Sequence, residues 1–289
     1  MPPSRRKKSP DITIIGAGTL ATALAVALHR GGYRIREIVT RNNPQSLRLA
    51  RALAKRVGAR VATVKHADFA ASVTWICVPD DAIAGVAQQI ADVSDWKGKI
   101  VVHSSGALIS EVLDTVRRRG AQVASAHPLM TFVSASAAEL RGVPFAMEGD
   151  AQALRALGGI VRAIGGKPFR IAAEHKPAYH CFGFFSSPAL VALIAAAQQV
   201  GKLAGLSENQ ARKLMEKIVR QTIDNCFRAD PPAAFSGPIK RGDVDTVRKH
   251  LEVLKETPDL LQLYRSLGEI ALKRLPNANA EKLKDLFKV

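Results

Sequence analysis

The sequence has little cysteine, and its three thiols lie far apart. Cys77, Cys181 and Cys226 form no C-x-x-C pair in 289 residues. An odd number of widely spaced cysteines argues against a disulfide framework or a zinc ribbon. Cys77, inside the run VTWICV, is most simply a buried small apolar residue. No H-x-x-x-H pair occurs among the seven histidines, so we predict no metal site.

Long apolar runs and an export signal are also missing. No uninterrupted apolar run reaches the ~18 residues of a membrane span. The basic start MPPSRRKKSP is not followed by an apolar segment long enough for a secretory signal. We therefore predict a cytoplasmic protein without a membrane partner, and we interpret residues 1–10 as a disordered basic tail.

Acidic residues are nearly absent from the first 65 positions, where 14 Lys or Arg face only Asp11 and Glu37. This part carries +12 of the formal net charge of +17. Such a field attracts anionic ligands, among them a phosphorylated cofactor or nucleic acid, although a solvated basic surface gives the same count. Only 5% of the residues are aromatic and no recognition motif occurs, so nucleic acid is not the expected partner.

Strand and helix patterns alternate through the first 172 residues, and this alternation predicts a doubly wound, mostly parallel α/β sheet. Glycines and prolines mark the ends of several segments. Strand patterns cover residues 11–16, 34–40, 60–64, 73–78, 99–102, 121–125, 143–147 and 168–171, and helical patterns cover 19–30, 44–57, 79–93, 108–119 and 151–164.

Strand patterns stop after about residue 172. Four helical segments follow, at residues 188–203, 207–228, 243–255 and 258–274. We therefore predict two domains: an α/β domain over residues 11–172 and an all-helical domain over residues 173–289.

The first strand ends in IIGAGTLATALA, which contains the dinucleotide-binding pattern G-x-G-x-x-A. Gly16 permits the tight turn, Gly18 lets a pyrophosphate approach the backbone, and Ala21 allows close packing of helix on strand. The free N–H groups near Thr19 and Leu20 would then face the anion at the helix N-terminus. A strand before and a helix after the pattern favour a Rossmann-type cofactor domain over a simple packing turn.

The end of the second strand reads IVTRNN, and no acidic residue stands there to bind ribose hydroxyls. Arg41 can instead make a forked contact with a 2′-phosphate. We therefore predict NADP as cofactor in preference to NAD, although an exposed loop arginine is also common.

Polar residues follow three further strands of the predicted sheet. Val78 and Pro79 lie at the end of the fourth strand, and Asp80 or Asp81 after them could bind a ligand or only cap the next helix. The fifth strand is followed by HSSG, which places Ser104, Ser105 and Gly106 at the same edge. The two serines could equally be turn or cap residues.

Histidines mark the strand ends and the start of the helical domain. His103 belongs to HSSG and could be a hydrogen-bonded core residue, while His127 begins the HPLMTF stretch after the sixth strand. Tyr179 and His180 lie in KPAYHCFGFF. His180 or His127 could move a proton at the cleft, because the pKa of an unperturbed histidine is near neutral pH.

Lys240 and Arg241, in the loop FSGPIKRGD, could hold an acidic substrate group, although a purely structural loop fits the composition as well.

Four motifs (HSSGAL, AHPLMTF, YHCFGFFSSPAL and SGPIKRGDVDTVRKHLEVL) resemble Rossmann-like proteins with a C-terminal domain of unknown function numbered 2520. The likeness extends from Asp11 to about Leu272. That family is similar to the 6-phosphogluconate dehydrogenase-like superfamily, including pyrroline-5-carboxylate reductase, prephenate dehydrogenase and deazaflavin-dependent NADP oxidoreductases. The resemblance implies an NAD(P) domain, a helical dimerisation domain and an active site between them, but no substrate.

Prephenate dehydrogenases, which the sequence also resembles, suggest roles by order along the chain. A serine after the fifth strand, an HP motif and an early helical histidine match Ser104 or Ser105, His127 and His180; the rest of that signature is missing. We expect an NADP-dependent oxidoreductase that passes hydride to or from a small carbonyl, hydroxyl or imine substrate. His180, His127 and Ser105 are its candidate catalytic residues.

In this hypothesis the cofactor contacts are Gly16, Gly18, Thr19, Leu20, Ala21, Arg41, Val78, Pro79, Ser104 and Gly106. Tyr179, Lys240 and Arg241 bind the substrate, and the protein is a homodimer through its helical domain. The alternative is a non-catalytic NADP-binding sensor, because such a domain determines the cofactor and not the reaction.

Overall fold

The computed structural model describes residues 10–133 and 139–288, and the chain divides into two compact units between Ser187 and Pro188. The predicted tail lies outside the described residues except for Pro10. The strand pattern ends near residue 172, earlier than the division between the units. The first unit continues to Ser187 and includes Lys176, whose side chain is buried.

The first unit contains one eight-stranded sheet in the order β3-β2-β1-β4-β5-β6-β7-β8. The first six strands are parallel; β7 is antiparallel to β6, and β8 pairs in parallel with β7. This confirms the predicted fold class. The strands are β1 (Ile12–Ile15), β2 (Ile35–Val39), β3 (Arg60–Ala62), β4 (Val73–Ile76), β5 (Ile100–His103), β6 (Gln122–Pro128), β7 (Pro144–Gly149) and β8 (Lys167–Arg170).

Helices cover both faces of this sheet, because each central strand presents apolar side chains on both sides. One core joins Val102 of β5 to the first, second and fifth helices, and the other joins Val101 to the third and fourth. In the described part of this unit the helices are α1 (Thr19–Arg30), α2 (Pro44–Val57), α3 (Asp80–Ala91), α4 (Asp114–Arg117), α5 (Ala151–Ala163) and α6 (Lys176–Ser186).

The segment predicted as a helix at residues 108–119 is instead a 3₁₀ turn, Ser110–Leu113, followed by the single turn of α4. Its start is held by a distant residue: Glu148 of β7 accepts hydrogen bonds from both the backbone N–H and the hydroxyl of Ser110, at 2.7 and 2.8 Å. A contact between residues so far apart in sequence overrides the local helical pattern.

The sheet order reverses direction at β1, which lies between β2 and β4. The crevice beyond the carboxyl ends of these strands is where doubly wound sheets bind ligands. Gly16 follows β1 there with φ +114°, and its N–H donates to the Val39 carbonyl at 2.8 Å. A Cβ on Gly16 would lie 2.2 Å from the Cys77 carbonyl oxygen, so both the backbone angle and the close approach require glycine.

The second unit is helical, and polar side chains cap some of its helix starts. Ser207 and Gln210 form a capping box, and Asp243 accepts from the Thr246 N–H at 3.1 Å. A small core contains Val247 and Phe287. The helices are α7 (Pro188–Leu203), α8 (Glu208–Arg228), α9 (Pro231–Ala234), α10 (Pro238–Arg241), α11 (Val244–Val253), α12 (Pro258–Arg274) and α13 (Ala280–Phe287).

The stretch Ala173–Leu203 is long and apolar enough, by length and composition alone, to cross a membrane, with a mean hydropathy of 1.6. None of that apolar window is buried within the chain. It is not one continuous helix, because α6 ends before Ser187 (φ −141°, ψ −72°) and α7 starts after it. Since Lys176 at its start is buried in the first unit, we describe the stretch as an exposed apolar surface and not a membrane span.

We expect Gly16→Ala to lower the free energy of unfolding by about 2–5 kcal/mol, through left-handed strain and the clash with Cys77. Gly18→Ala is the matched control, since Gly18 has φ −74° and open space around its Cβ position. Urea unfolding of both variants measures the difference, and equal stabilities would contradict this explanation of Gly16.

Candidate functional site

The turn after β1 has the geometry that a pyrophosphate needs. Gly18 is exposed, and a Cβ built on it would meet no heavy atom within 4 Å. Helix α1 has no acidic residue in its first turn and no capping side chain. The N–H groups of Thr19 and Leu20 therefore have no intrahelical acceptor, while Ala21 is fully buried against the sheet. These residues fit a dinucleotide phosphate at a helix N-terminus.

The loop after β2 offers a cation and no carboxylate. Arg41 is exposed and forms no ion pair within the described residues. The acid of β2, Glu37, is buried in mid-strand, where it pairs with Arg60 and accepts from the Asp68 and Phe69 N–H groups. Because Glu37 is occupied there, the end of β2 fits a 2′-phosphate better than a pair of free ribose hydroxyls.

The loop after β4 is tied to the loop after β5. Val78 is half-buried and Pro79 is exposed at the N-cap position of α3, without a side-chain cap. Asp80, in the first turn of α3, accepts a hydrogen bond from the Ser105 hydroxyl at 2.7 Å. Asp80 therefore connects two strand ends rather than capping its own helix.

Both serines of HSSG are buried and have protein partners. The Ser104 hydroxyl accepts from the Trp75 indole N–H at 2.8 Å. The Ser105 hydroxyl donates to Asp80 and accepts from the N–H groups of Ala107 and Leu108, at 3.1 and 2.9 Å. Its only hydrogen and both lone pairs are thus engaged. Both hydroxyls therefore stabilise the loop, as expected for turn residues. A catalytic role for Ser105 stays a prediction.

His103 is fully buried with both ring nitrogens bonded to backbone. Nδ1 accepts from the Ser105 N–H at 3.1 Å, so the ring proton lies on Nε2, 3.3 Å from the Ile109 carbonyl. Burial, followed by the charge of Lys176, lowers the pKa of His103 to about 3. His103 is therefore a neutral core histidine, the structural alternative that the sequence leaves open.

Lys176 is the unexpected centre of the region. Its side chain is 1% exposed, although lysine is seldom buried unless it is paired. Nζ donates to the Ser105 carbonyl at 2.9 Å and to the Ser125 hydroxyl, and it lies 3.8 Å from Glu148 Oε1. Burial, opposed by Glu148 and Asp80, lowers the pKa of Lys176 to about 8.

Three aromatic side chains meet near the carboxyl ends of β5 and β6; His127, which the sequence predicts to follow the sixth strand, is instead the last residue but one of β6. His127 Nδ1 lies 2.9 Å from the Tyr179 hydroxyl, and the ring centroids of His127 and His180 are 6.5 Å apart. Gly106, in the loop after β5, lies against both histidines: a Cβ there would lie 2.8 Å from His180 Cδ2 and 2.9 Å from His127 Nε2. We call His127, Tyr179, His180 and Gly106 the histidine cluster.

Burial sets the protonation of His127 and Tyr179. It lowers the pKa of His127 to about 4, with smaller contributions from the charges of Lys176 and His180. Burial also raises the pKa of Tyr179 to about 12. His127 is thus a neutral imidazole at pH 7, beside a tyrosine that keeps its proton. His180, by contrast, is exposed.

Lys240 and Arg241 lie in the second unit, on the short helix α10. The Lys240 ammonium donates to the Phe235 carbonyl at 2.8 Å, within its own loop. Their assignment to substrate binding therefore stays a prediction.

The sequence interpretation missed Lys176, Glu148 and Ser125, which are buried and joined to one another. Lys176 stands three residues before Tyr179, so it shares a helix face with the cluster. That spacing is the one local signal that could have indicated it.

Two family descriptions match the chain. Residues 4–128 match a Rossmann-like domain, and residues 143–270 match a domain of unknown function, DUF2520. These matches confirm the resemblance drawn from the four motifs. No curated protein matches the chain.

Solved structures share this fold at low identity. TM1727 from Thermotoga maritima is 27% identical, with a TM-score of 0.70 over 91% of this chain and 97% of that one. BF3122 from Bacteroides fragilis, provisionally described as an NADP oxidoreductase, is 24% identical, with a TM-score of 0.78 over 92% and 99%. An imine reductase from Myxococcus stipitatus in complex with NADP⁺ is 18% identical, with a TM-score of 0.68 over 91% and 94%.

We expect Lys176→Met to lower the free energy of unfolding by roughly 3–5 kcal/mol, because it leaves Glu148 buried without its cation. The double variant Lys176→Met/Glu148→Gln should recover most of the loss, since no unpaired charge remains. Lys202→Met is the matched control: the Lys202–Glu208 pair is exposed to solvent, so its loss should leave stability nearly unchanged.

Urea unfolding at pH 7 measures all three variants. A single Lys176 variant as stable as the wild type, or a double variant no better than the single one, would contradict the role given to the buried pair.

Proposed function

We propose that this chain, which joins a Rossmann-like domain to a domain of unknown function 2520, is an NADP-dependent oxidoreductase acting on a small carbonyl, hydroxyl or imine compound. The observation that carries the proposal is the histidine cluster at the carboxyl ends of β5 and β6. It lies on the same edge of the sheet as the phosphate-binding turn after β1. That edge is where doubly wound sheets bind their ligands.

The cofactor contacts follow from the strand ends. The backbone from Gly16 to Ala21 would hold the pyrophosphate, and Arg41 would hold the 2′-phosphate. Val78, Pro79, Ser104 and Gly106 would line the side toward the nicotinamide. The similarity to an imine reductase in complex with NADP⁺ supports this choice at the level of the fold. Bound NADPH would supply or accept the hydride.

The chain's own residues would move the accompanying proton. His180 is the exposed member of the cluster, and we assign it the proton transfer. The Tyr179 hydroxyl donates to His127 Nδ1 in this assignment, which leaves the imidazole proton on Nε2, the nitrogen on the Gly106 side. His127, as a neutral imidazole, then donates a hydrogen bond from Nε2 to a substrate oxygen or nitrogen. Ser105 supports the loop through its bond to Asp80.

The substrate, in this proposal, carries an acidic group. Lys240 and Arg241 would bind it through charge-assisted hydrogen bonds. The strongly basic chain would also attract such a substrate from solution.

We also propose a homodimer formed through the apolar surface of α6 and α7, located in the cytoplasm. Phe182, Phe185 and Val191 are each more than half exposed, and clusters of such side chains commonly mark protein interfaces. The mass of the protein in solution tests the dimer.

The cofactor assignment predicts that NADPH binds at least tenfold more tightly than NADH, which corresponds to about 1.4 kcal/mol. Arg41→Ala should remove most of that preference without weakening NADH binding. Arg56→Ala, an exposed arginine at the other end of α2, is the matched control and should keep the preference. Equilibrium titration gives these affinities, and equal wild-type affinities for the two cofactors would refute the assignment.

The catalytic assignment predicts that His180→Ala lowers kcat by about 100-fold or more, while the affinity for NADPH stays unchanged. His175→Ala, an exposed histidine just before α6, should retain full activity. NADPH oxidation over a panel of acidic ketones and imines measures turnover. Tight NADPH binding with no turnover on any substrate would favour the sensor over the enzyme.

A further inference from the structure

A groove in the first unit lies between α5 and β8. One part of it is a cavity of about 310 Å³ lined by Arg155, Arg162 and Arg170 over a floor that includes Leu154 and Phe169. A second cavity of about 430 Å³ adjoins it, because Met147, Leu154 and Arg170 line both. We call the two together the α5–β8 groove.

The three arginines line one cavity because of their positions on the fold. Arg155 and Arg162 are seven residues apart on α5, two turns along one face. Gly158 lies between them, and a Cβ there would be 3.4 Å from the Arg162 Nη2 atom, so the guanidinium lies back over the helix. Arg170 comes from the end of β8, the last strand in the sheet order.

No carboxylate lines the 310 Å³ cavity, and none of its three arginines forms an ion pair with another described residue. Arg117 in the adjoining cavity differs, because its charge is compensated by two carboxylates. Arg117 pairs with Asp114 at 2.6 Å and with Asp150 at 3.4 Å. The groove therefore keeps an uncompensated triple positive charge at one end, in the forked form that suits phosphate.

The other end of the groove has the opposite character. Glu111, Glu148 and Asp150 line the 430 Å³ cavity, and two of them are already engaged: Glu148 by Ser110 and Lys176, and Asp150 by Arg117 and the Val123 N–H. Glu111 is exposed and has no ion-pair partner in the described chain. A second anionic group is disfavoured here, whereas hydroxyl donors are favoured.

We propose that the α5–β8 groove binds a small phosphate ester whose other end carries hydroxyl groups. The phosphate lies among Arg155, Arg162 and Arg170, and the hydroxyl-bearing body lies in the larger cavity near Ser110 and Glu111. A body of this kind fits the cavity, since small-molecule sites begin at ~300 Å³. The site is separate from the phosphate-binding turn at Gly16 and does not depend on the proposed oxidoreductase activity.

The test uses the ¹⁵N-labelled full-length protein, titrated with a hexose 6-phosphate, with inorganic phosphate and with the unphosphorylated hexose. Backbone amide shifts separate this site from the cofactor turn. We expect the hexose phosphate to shift the amides of Gly158 and Arg170, with a Kd at least tenfold lower than that of inorganic phosphate. The hexose alone should cause no shifts there.

The variant Arg155→Gln/Arg162→Gln should weaken hexose phosphate binding at least tenfold. The matched control is Arg51→Gln/Arg56→Gln, which removes two exposed arginines from α2 and should bind as the wild type does. An otherwise unchanged amide spectrum shows that each variant is folded. Shifts confined to residues 16–21, equal affinities for phosphate and hexose phosphate, or equal loss in both double variants would each overturn the proposal.

Discussion

The buried ammonium group of Lys176 is the interaction on which the site depends. Removing a charge from water costs several kcal/mol, and the cost is offset only when the charge is paired and hydrogen-bonded. Here the partners come from three neighbouring strands or their loops: the Ser105 carbonyl after β5, the Ser125 hydroxyl of β6 and the Glu148 carboxylate of β7. Because these partners have fixed positions in the sheet, the first turn of α6 is fixed as well.

Fixing that turn places the histidine cluster. Tyr179 and His180 follow Lys176 within one helical turn, and His127 comes from β6, two residues beyond Ser125. The same strand that supplies a partner for the ammonium group therefore supplies the histidine that contacts Tyr179. The charge of Lys176 also lowers the pKa values of His103 and His127, although burial lowers them more. The position of the cluster thus depends on one buried cation, which also makes a smaller contribution to the pKa values of His103 and His127.

The solved structures of this fold share few residues with this chain because the fold itself requires particular residues at only a few positions. A doubly wound sheet needs apolar strands and a glycine where β1 meets the end of β4, and many sequences meet those requirements. Gly16 is such a position, since its Cβ would collide with backbone and not with a replaceable side chain. Contacts such as Trp75 with Ser104, or Glu148 with Ser110, are specific to the particular side chains present.

The sequence by itself determined the bounds of several helices that have glycine or proline at their ends. Helices α1, α2, α7 and α12 have the predicted bounds, because glycine or proline stands at their ends and disfavours a longer helix. The G-x-G turn and the absence of an acid after β2 are local features too, and in the structure both Gly18 and Arg41 are exposed. Only the tertiary structure decided the rest. It replaced the predicted helix at residues 108–119 by a turn bonded to Glu148. It also engaged the Ser105 hydroxyl with three partners and buried Lys176. Each of these outcomes depends on residues that are distant in sequence and adjacent only in the folded sheet, so no local pattern could specify them.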